Sequence, residues 1–367
     1  MKSELSALDI YYLRKEWNKL INSKVDKVYL KEDDMLLQLH LPGVGRRMLK
    51  IILPDFIYLT EYKKSYGHPN RFCMSLRKYL GNSRLRKIKQ KDFERILEFH
   101  FETKHGISIL IIELFSKGNV ILCKKDYTII IAKEYQKWSQ RTIRGGIKYE
   151  YPDKESDITD IKFPEFKKLI ENSDKESVVK TLAIDFGLGG VYSEEICHMA
   201  GIDKSKKKPD EKEIKKLYKA VEQILDKKIK AVVYIKKDIT PFSLEKYKGL
   251  EKKEFDSFNR ALDSTLTKKI KKKEVKKVKK KVAGEKNRIR SILNQQTGQI
   301  KGFKKAVKTN QKKAELIYEK YKLIEEILKE INKAKKKYSE KEIKKILKDH
   351  PVIKMVDLKN KEVTVDL

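Results

Sequence analysis

Only three cysteines, Cys73, Cys123 and Cys197, occur in the 367 residues. They lie far apart, form no C-x-x-C pair and have no histidine at zinc-ligand spacing. That excludes a disulfide framework and a structural zinc site, and fits a reducing cytoplasm. Long apolar runs are missing as well. None approaches the ~20 residues of a membrane-spanning helix, and the opening stretch, MKSELSALDIYYLRKEW, lacks the apolar core of a signal peptide. Neither membrane insertion nor secretion is expected. Catalytic signatures are equally scarce: no GxxxxGK[ST], GxSxG, HExxH or Rossmann glycine pattern occurs, and the six histidines (His40, His68, His100, His105, His198 and His350) are scattered. We therefore expect a binding factor rather than an enzyme, with no catalytic residue, metal ion or cofactor.

The other shortage is of acid. Asp and Glu number 53 against 87 Lys and Arg, a formal net charge of +34. Such a surplus repels itself unless a polyanion takes it up, and each phosphate neutralised releases a counterion, so nucleic acid is the expected partner. Lysines that merely solvate helices are the plainer explanation, and an acidic membrane surface is a weaker one. With 40% hydrophobic residues the chain is too apolar to be disordered, and its length fits two or three domains.

The patterning gives an α+β fold. Leu8, Tyr12, Leu13, Trp17 and Leu20 form one helical stripe over residues 6–21, with Ser6 as N-cap. Short apolar runs from Lys24 to Leu59 (VDKVYL, MLLQLHL, MLKIILP) predict successive hairpin strands. Residues 70–80 predict a helix ending at Gly81, and RILEFHFE, ISILIIEL, GNVILC and YTIIIA predict four more strands. This mixed sheet-and-helix domain is expected to span residues 1–152. Residues 153–260 are expected to hold a small helical domain: helices at 164–182 and 192–226 joined by the turn Gly187-Leu188-Gly189-Gly190 and broken again near Lys206–Pro209, then an extended patch, AVVYI to PFSLEKY.

Residues 261–338 predict a coiled-coil arm. Ile289, Leu293, Gln296, Ile300, Phe303, Val307, Asn310, Ala314, Ile317, Tyr321, Ile324, Leu328 and Ile331 step by four and three as a heptad seam. At 1.5 Å per residue, roughly 70 residues would reach on the order of 100 Å. A lone seam cannot bury itself, so either two copies associate or a returning helix lies in sequence beyond this chain. Ser339–Glu342 predicts a capping box for a helix at 343–347, followed by alternating runs VIKMVDL and KEVTVDL. These place the start of a further segment at 339–367, and we expect the chain to be a piece of a longer protein.

Four groups of residues are candidates for function. The glycines of TLAIDFGLGGVYSEE would let backbone amides and a helix N-terminus approach a phosphate, where a tight helix–helix turn is the alternative. The block Lys268, Lys269, Lys271, Lys272, Lys273, Lys276, Lys277, Lys279, Lys280 and Lys281 fits phosphate contacts without base readout, or simple solvation. Asp92, Glu94 and Arg95, with Arg84 and Arg86 and with Asp9 on the first helix, pair carboxylates with arginines, which suits a nucleotide edge or phosphate as well as a surface ion pair. Arg141 and Arg144, in RTIRGG, could clamp a phosphate from a loop or simply be solvated on a turn.

Several of these strings, RFCMSLRKYLGNSRLRKIKQKDFERILEFHFE, LFSKGNVILC, RTIRGGIKYEYP, LAIDFGLGGVYSEEICHMAGID and ELIYEKY, resemble in their order the NFACT proteins, over nearly all of residues 1–367. The resemblance implies an N-terminal NFACT domain similar to that of formamidopyrimidine DNA glycosylases, then a helix-hairpin-helix domain, a coiled-coil arm and a C-terminal RNA-binding domain that is not in this sequence. It further implies binding to the large ribosomal subunit obstructed by peptidyl-tRNA, and recruitment of tRNA so that the stalled chain gains a C-terminal tail. The family's acidic-Arg pair falls on Glu94-Arg95, longer by one methylene than the usual Asp-Arg, and its first-helix acid falls on Asp9. Two other readings remain: a DNA glycosylase, whose N-terminal Pro-Glu is here Met1-Lys2-Ser3-Glu4, and a coiled-coil scaffold or adhesion protein.

Overall fold

Ser6 and Asp9 start the first helix by satisfying each other's backbone. In α1 (Ala7–Trp17) the Asp9 amide donates to Ser6 Oγ at 3.2 Å, and the Ser6 amide donates to Asp9 Oδ2 at 2.8 Å. The apolar stripe of α1 is buried in the main core through Leu8, Tyr12, Leu13 and Trp17.

The computed structural model describes residues 2–138, 141–152, 157–348 and 350–367, in two units, Met1–Lys273 and Glu274–Leu367. Met1 and residues 153–156, where the boundary between the first two predicted domains falls, lie outside the described residues. The first unit is built on a nine-stranded antiparallel sheet. Strands β1 (Lys24–Lys31), β2 (Asp34–Leu41), β3 (Gly45–Ile52) and β4 (Phe56–Thr60) meander outward from β1. After α2 (Arg71–Leu80), strands β5 (Arg84–Gln90), β6 (Ile96–Thr103), β7 (Gly106–Glu113), β8 (Asn119–Lys124) and β9 (Ile129–Ala132) meander the other way, and β1 meets β5 at the centre.

The two meanders are copies of one plan. Asn22 and Asn82 both adopt positive φ just before their strands, and β1 and β5 slip register at the same place, between Val25 and Lys27 and between Leu85 and Lys87. Around the centre the bonds are reciprocal. The amides of Asn22 and Leu85 donate to the carbonyls of Leu85 and Ser23, and those of Asn82 and Val25 donate to the carbonyls of Val25 and Ser83. An approximate two-fold relation thus equates the β1–β2 turn with the Lys91–Arg95 turn between β5 and β6.

Strand β5 is one element the sequence reading lacks. In RLRKIKQ only Leu85 and Ile88 are buried, and the remaining basic residues mask the alternation. A hairpin of β10 (Gln136–Lys137) and β11 (Thr142–Ile143) was also not expected. The helix predicted over 164–182 is two helices, α3 (Phe163–Asn172) and α4 (Val178–Ile184), because the chain turns extended at Ser173 and Ser177. Helices α5 (Gly190–Ala200) and α6 (Glu211–Asp226) follow. The extended patch is part of a three-stranded sheet of β12 (Ala231–Tyr234), β13 (Asp238–Thr240) and β14 (Lys252–Phe255).

Helix α7 (Phe258–Glu319) begins in the first unit. Its start is fixed from α1: the Glu16 carboxylate accepts from the amides of Phe258 at 2.7 Å and Asn259 at 2.9 Å and from Ser257 Oγ at 3.1 Å. Asn259 then bonds both the amide and the carbonyl of Leu59 on β4.

In the second unit, Ile289, Leu293, Ile300, Phe303 and Val307 are exposed along α7. The seam is not continuous to Ile331. The helix breaks at Lys320, and α8 (Tyr321–Ala334) turns Ile327 and Ile331, rather than Leu328, into a small core with Ile353 and Val356. Those last two belong to the hairpin β15 (Ile353–Asp357) and β16 (Glu362–Val365), which follows α9 (Glu340–Ile346) and its Ser339–Glu342 capping box.

Candidate RNA-binding cleft

Asp9 organises a buried knot. Its side chain is inaccessible, with Oδ2 accepting from Ser6 Oγ at 2.9 Å and pairing with Lys2 Nζ at 3.0 Å, and Oδ1 accepting from the Tyr192 hydroxyl at 2.6 Å. Lys2 also reaches Asp238 Oδ1 at 3.3 Å. Three segments, α1, the start of α5 and β13, are therefore tied through one carboxylate–ammonium cluster. Burial alone would lower the Lys2 pKa. Asp9 and Asp238 outweigh it, so the amine titrates above its ordinary value and stays charged. That is the opposite of the neutral lysine a Schiff base requires. Tyr192 is pushed well above its ordinary range, first by burial and then by Asp9, and remains a hydrogen-bond donor.

Above this knot lies a cleft of about 760 Å³. One wall is the glycine turn. Gly187 and Gly189 have φ of +72° and +74°, which glycine adopts without strain, and Gly189 lies beside Ser6, whose Cβ would be in ordinary contact, at 3.5 Å, with a Cβ added there. The turn delivers the N-terminus of α5, which no side chain caps, to the cleft. Its first amides and the positive end of its dipole favour an anion at this place.

The facing wall is the Lys91–Arg95 turn, in which Asp92 and Phe93 both have positive φ. Phe93 is buried against Tyr11, and Gln90 Nε2 donates to the carbonyls of Ala7 at 2.9 Å and Glu94 at 3.0 Å. The turn is thus held on α1 with Glu94 and Arg95 at the cleft. Arg95 donates to Glu4 Oε2 at 2.6 Å and to the Pro54 carbonyl at 3.2 Å, while its buried Nε has no hydrogen-bond partner among the described residues. The two-fold-related turn is Glu32-Asp33, two residues shorter, since Leu30 pairs with Met35 where Gln90 pairs with Leu97. Only one half of the duplicated sheet presents an arginine at its turn.

Asp9, Glu94, Arg95, Gly187, Gly189 and Gly190 therefore come together from three distant parts of the sequence. Four other candidates do not join them. Arg84 and Arg86 sit at the far end of β5, roughly 20 Å along the strand, where Arg86 bonds Glu102 and Asn22. Arg141 is partly buried in an ion pair with Glu113, whose Oε1 also accepts from Tyr149 at 2.8 Å. Arg144 lines a separate groove with Tyr135 and Lys137. Lys2, Glu4, Tyr192, Lys236, Lys237 and Asp238 also line the cleft, beyond what the sequence leads one to expect. They are common residue types, and only the fold brings them together.

A family model of the NFACT N-terminal and middle domains matches residues 6–365. The chain belongs to the NFACT family. It is 37% identical to the archaeal Rqc2 homolog aRqcH of Methanocaldococcus jannaschii over 99% of its own length and 57% of that protein's. It is 28% identical to the human ribosome quality control complex subunit NEMF over 41% of its length, which is 14% of that subunit. This NFACT chain thus spans little more than half of the archaeal relative. The N-terminal part of the fibronectin/fibrinogen-binding protein of Streptococcus suis has the same fold, with a TM-score of 0.60 at 22% identity over 72% of this chain and all of that one. No helix among the described residues is long and apolar enough to cross a membrane.

Proposed function

We propose that this chain is the tRNA-holding portion of a cytoplasmic ribosome quality control factor, acting on large subunits obstructed by peptidyl-tRNA so that the stalled chain receives a C-terminal tail. Peptide bonds are made by the ribosome, and the chain itself is not an enzyme. The observation that carries this reading is the single cleft that unites the Glu94-Arg95 turn, the Asp9 knot and the uncapped start of α5. An arginine beside a carboxylate suits a nucleotide edge, and helix-terminal amides suit a phosphate. Lys236 and Lys237 add exposed positive charge at the rim. Asp9 has no free face, so its part is positioning: it holds Lys2, Ser6 and Tyr192, and through them the two walls.

Membership of a family that includes proteins named as ribosome quality control subunits supports this reading. We propose a likeness to the glycosylase N-terminal domain in fold alone. Lys2, charged and ion-paired, offers no nucleophile for that chemistry. We further propose that the exposed face of α7 pairs as a coiled coil.

Arg95→Glu and Glu94→Lys test the cleft. Each is expected to reduce tRNA bound to the purified protein while leaving association with obstructed large subunits in place. Two variants that hold tRNA as the parent does would remove the cleft from the account.

A further inference from the structure

A second basic surface lies beside the cleft. Strands β12 and β14 pair with Val233 opposite Lys253, and side chains alternate along a strand, so Val233, Ile235, Lys253 and Phe255 share one face. Lys252 and Glu254 take the other, where Glu254 is paired with Lys252 and Lys230. Opposite the first face runs the root of α7. Lys268 and Lys272 are one turn apart on one side of that helix, with Lys269 beside them. Between sheet and helix is a groove of about 430 Å³ with an apolar floor and five exposed lysines, Lys236, Lys253, Lys268, Lys269 and Lys272. Among the described residues, none that lines it is acidic.

The groove continues the cleft. Lys236 lines both, and Lys269 is near enough to act on Asp55, the carboxyl that also feels Glu4 and Arg95. The N-terminal turns of α7 are rigidly seated by Glu16 and Asn259, so the lysines keep a fixed spacing from the cleft.

We propose that this groove is a second RNA subsite, which takes the phosphodiester backbone of the same RNA whose other part occupies the cleft. The inference rests on the cleft reading. Charge complementarity selects the backbone: the clustered lysines attract phosphates, while Val233, Ile235 and Phe255 accept ribose faces. The two hydroxyls in the lining, Ser264 and Thr265, already donate to the Ala261 carbonyl within α7, so the contact is expected to be indifferent to sequence.

The test uses the full chain, intact tRNA, and a short RNA hairpin that fills the cleft without reaching the groove, with binding measured over a salt series. Lys253→Glu/Lys268→Glu/Lys272→Glu alters only exposed side chains, and circular dichroism checks its fold. It is expected to weaken intact tRNA roughly tenfold at ~0.1 M salt and to flatten log K against log salt by about 2 units, while leaving the short hairpin unchanged. Arg95→Glu, in parallel, is expected to weaken both RNAs. Unchanged tRNA affinity and slope in the triple variant, with Arg95→Glu still defective, would overturn the groove and keep the cleft. Equal losses on both RNAs would reduce the lysines to a diffuse field. If an acidic Glu/Leu peptide binds the parent but not the triple variant, while tRNA binds both alike, the groove is a protein-docking site and the proposal is wrong.

Discussion

Truncating Asp9 to alanine should unfold the first unit more readily than removing almost any other single carboxylate. The substitution leaves Lys2, buried and charged, with Asp238 as its remaining counter-ion, and strips the Tyr192 hydroxyl and the Ser6 amide of their acceptor. Breaking a buried ion pair from one side costs about 3–5 kcal/mol. An orphaned buried hydroxyl costs about 1–3 kcal/mol and a lost cap about 1 kcal/mol. Because these groups form one network their costs do not add, so a total of about 3–5 kcal/mol is expected, a fall in Tm of roughly 6–20 °C for a unit of this size. Urea and thermal unfolding followed by fluorescence reads it, since Trp17 is fully buried in this unit. Lys2→Met alone should cost less, because Asp9 keeps Tyr192 and Ser6 as donors. The double variant should then be about 1–3 kcal/mol more stable than additivity gives. An Asp9→Ala protein within about 1 kcal/mol of the parent, or strict additivity, would refute the account of Asp9 as a positioning residue.

Glu16→Ala removes the carboxylate that caps α7 from α1, at about 1–2 kcal/mol, and should speed hydrogen exchange at Phe258 and Asn259; unchanged protection there would contradict the cap. Glu4→Gln releases Arg95 from an exposed ion pair worth at most ~1 kcal/mol, so tRNA affinity should rise up to about fivefold. A fall would mean instead that Glu4 and Arg95 bind as a unit. Burial works to raise the Glu98 pKa, but hydrogen bonds from His100, Tyr151 and Tyr127 outweigh it and hold the carboxyl below its ordinary 4.5. A lowered folded pKa gives stability that is present above 4.5 and is lost as pH falls through the folded value. The urea midpoint of the parent should therefore drop more steeply below about pH 4.5 than that of Glu98→Gln; parallel profiles would count against it.

What could be read from the sequence follows from where a pattern is local. The capping residues and apolar spacing of α1, and the glycine punctuation before α5, act within a few residues, and both elements are where they were expected. Strand β5 escaped because five of its seven residues are basic or amide, so its two buried positions carry too little signal against a charged background. The seam beyond Lys320 misled for the opposite reason: Ile324, Leu328 and Ile331 keep heptad spacing, but a short hairpin competes for the apolar face and selects Ile327 and Ile331. Glu94, Arg95 and Asp9 were recognisable as charged residues near arginine or on a helix. That Asp9 is sealed under Tyr192 while Arg95, bonded to Glu4 and Pro54, keeps an unused donor depends on contacts between residues far apart in the chain, which no local pattern encodes.

The central claim is that the cleft holds tRNA. The most direct measurement places a photo-crosslinking amino acid at Lys237 on the cleft rim and, as a control, at Lys125, an exposed position outside the cleft, and sequences the RNA captured from cells. The account predicts tRNA at Lys237, concentrated in few species and lost when Arg95→Glu is added, with little RNA at Lys125. Capture of the same RNA spectrum at both positions, or none at Lys237, would contradict it.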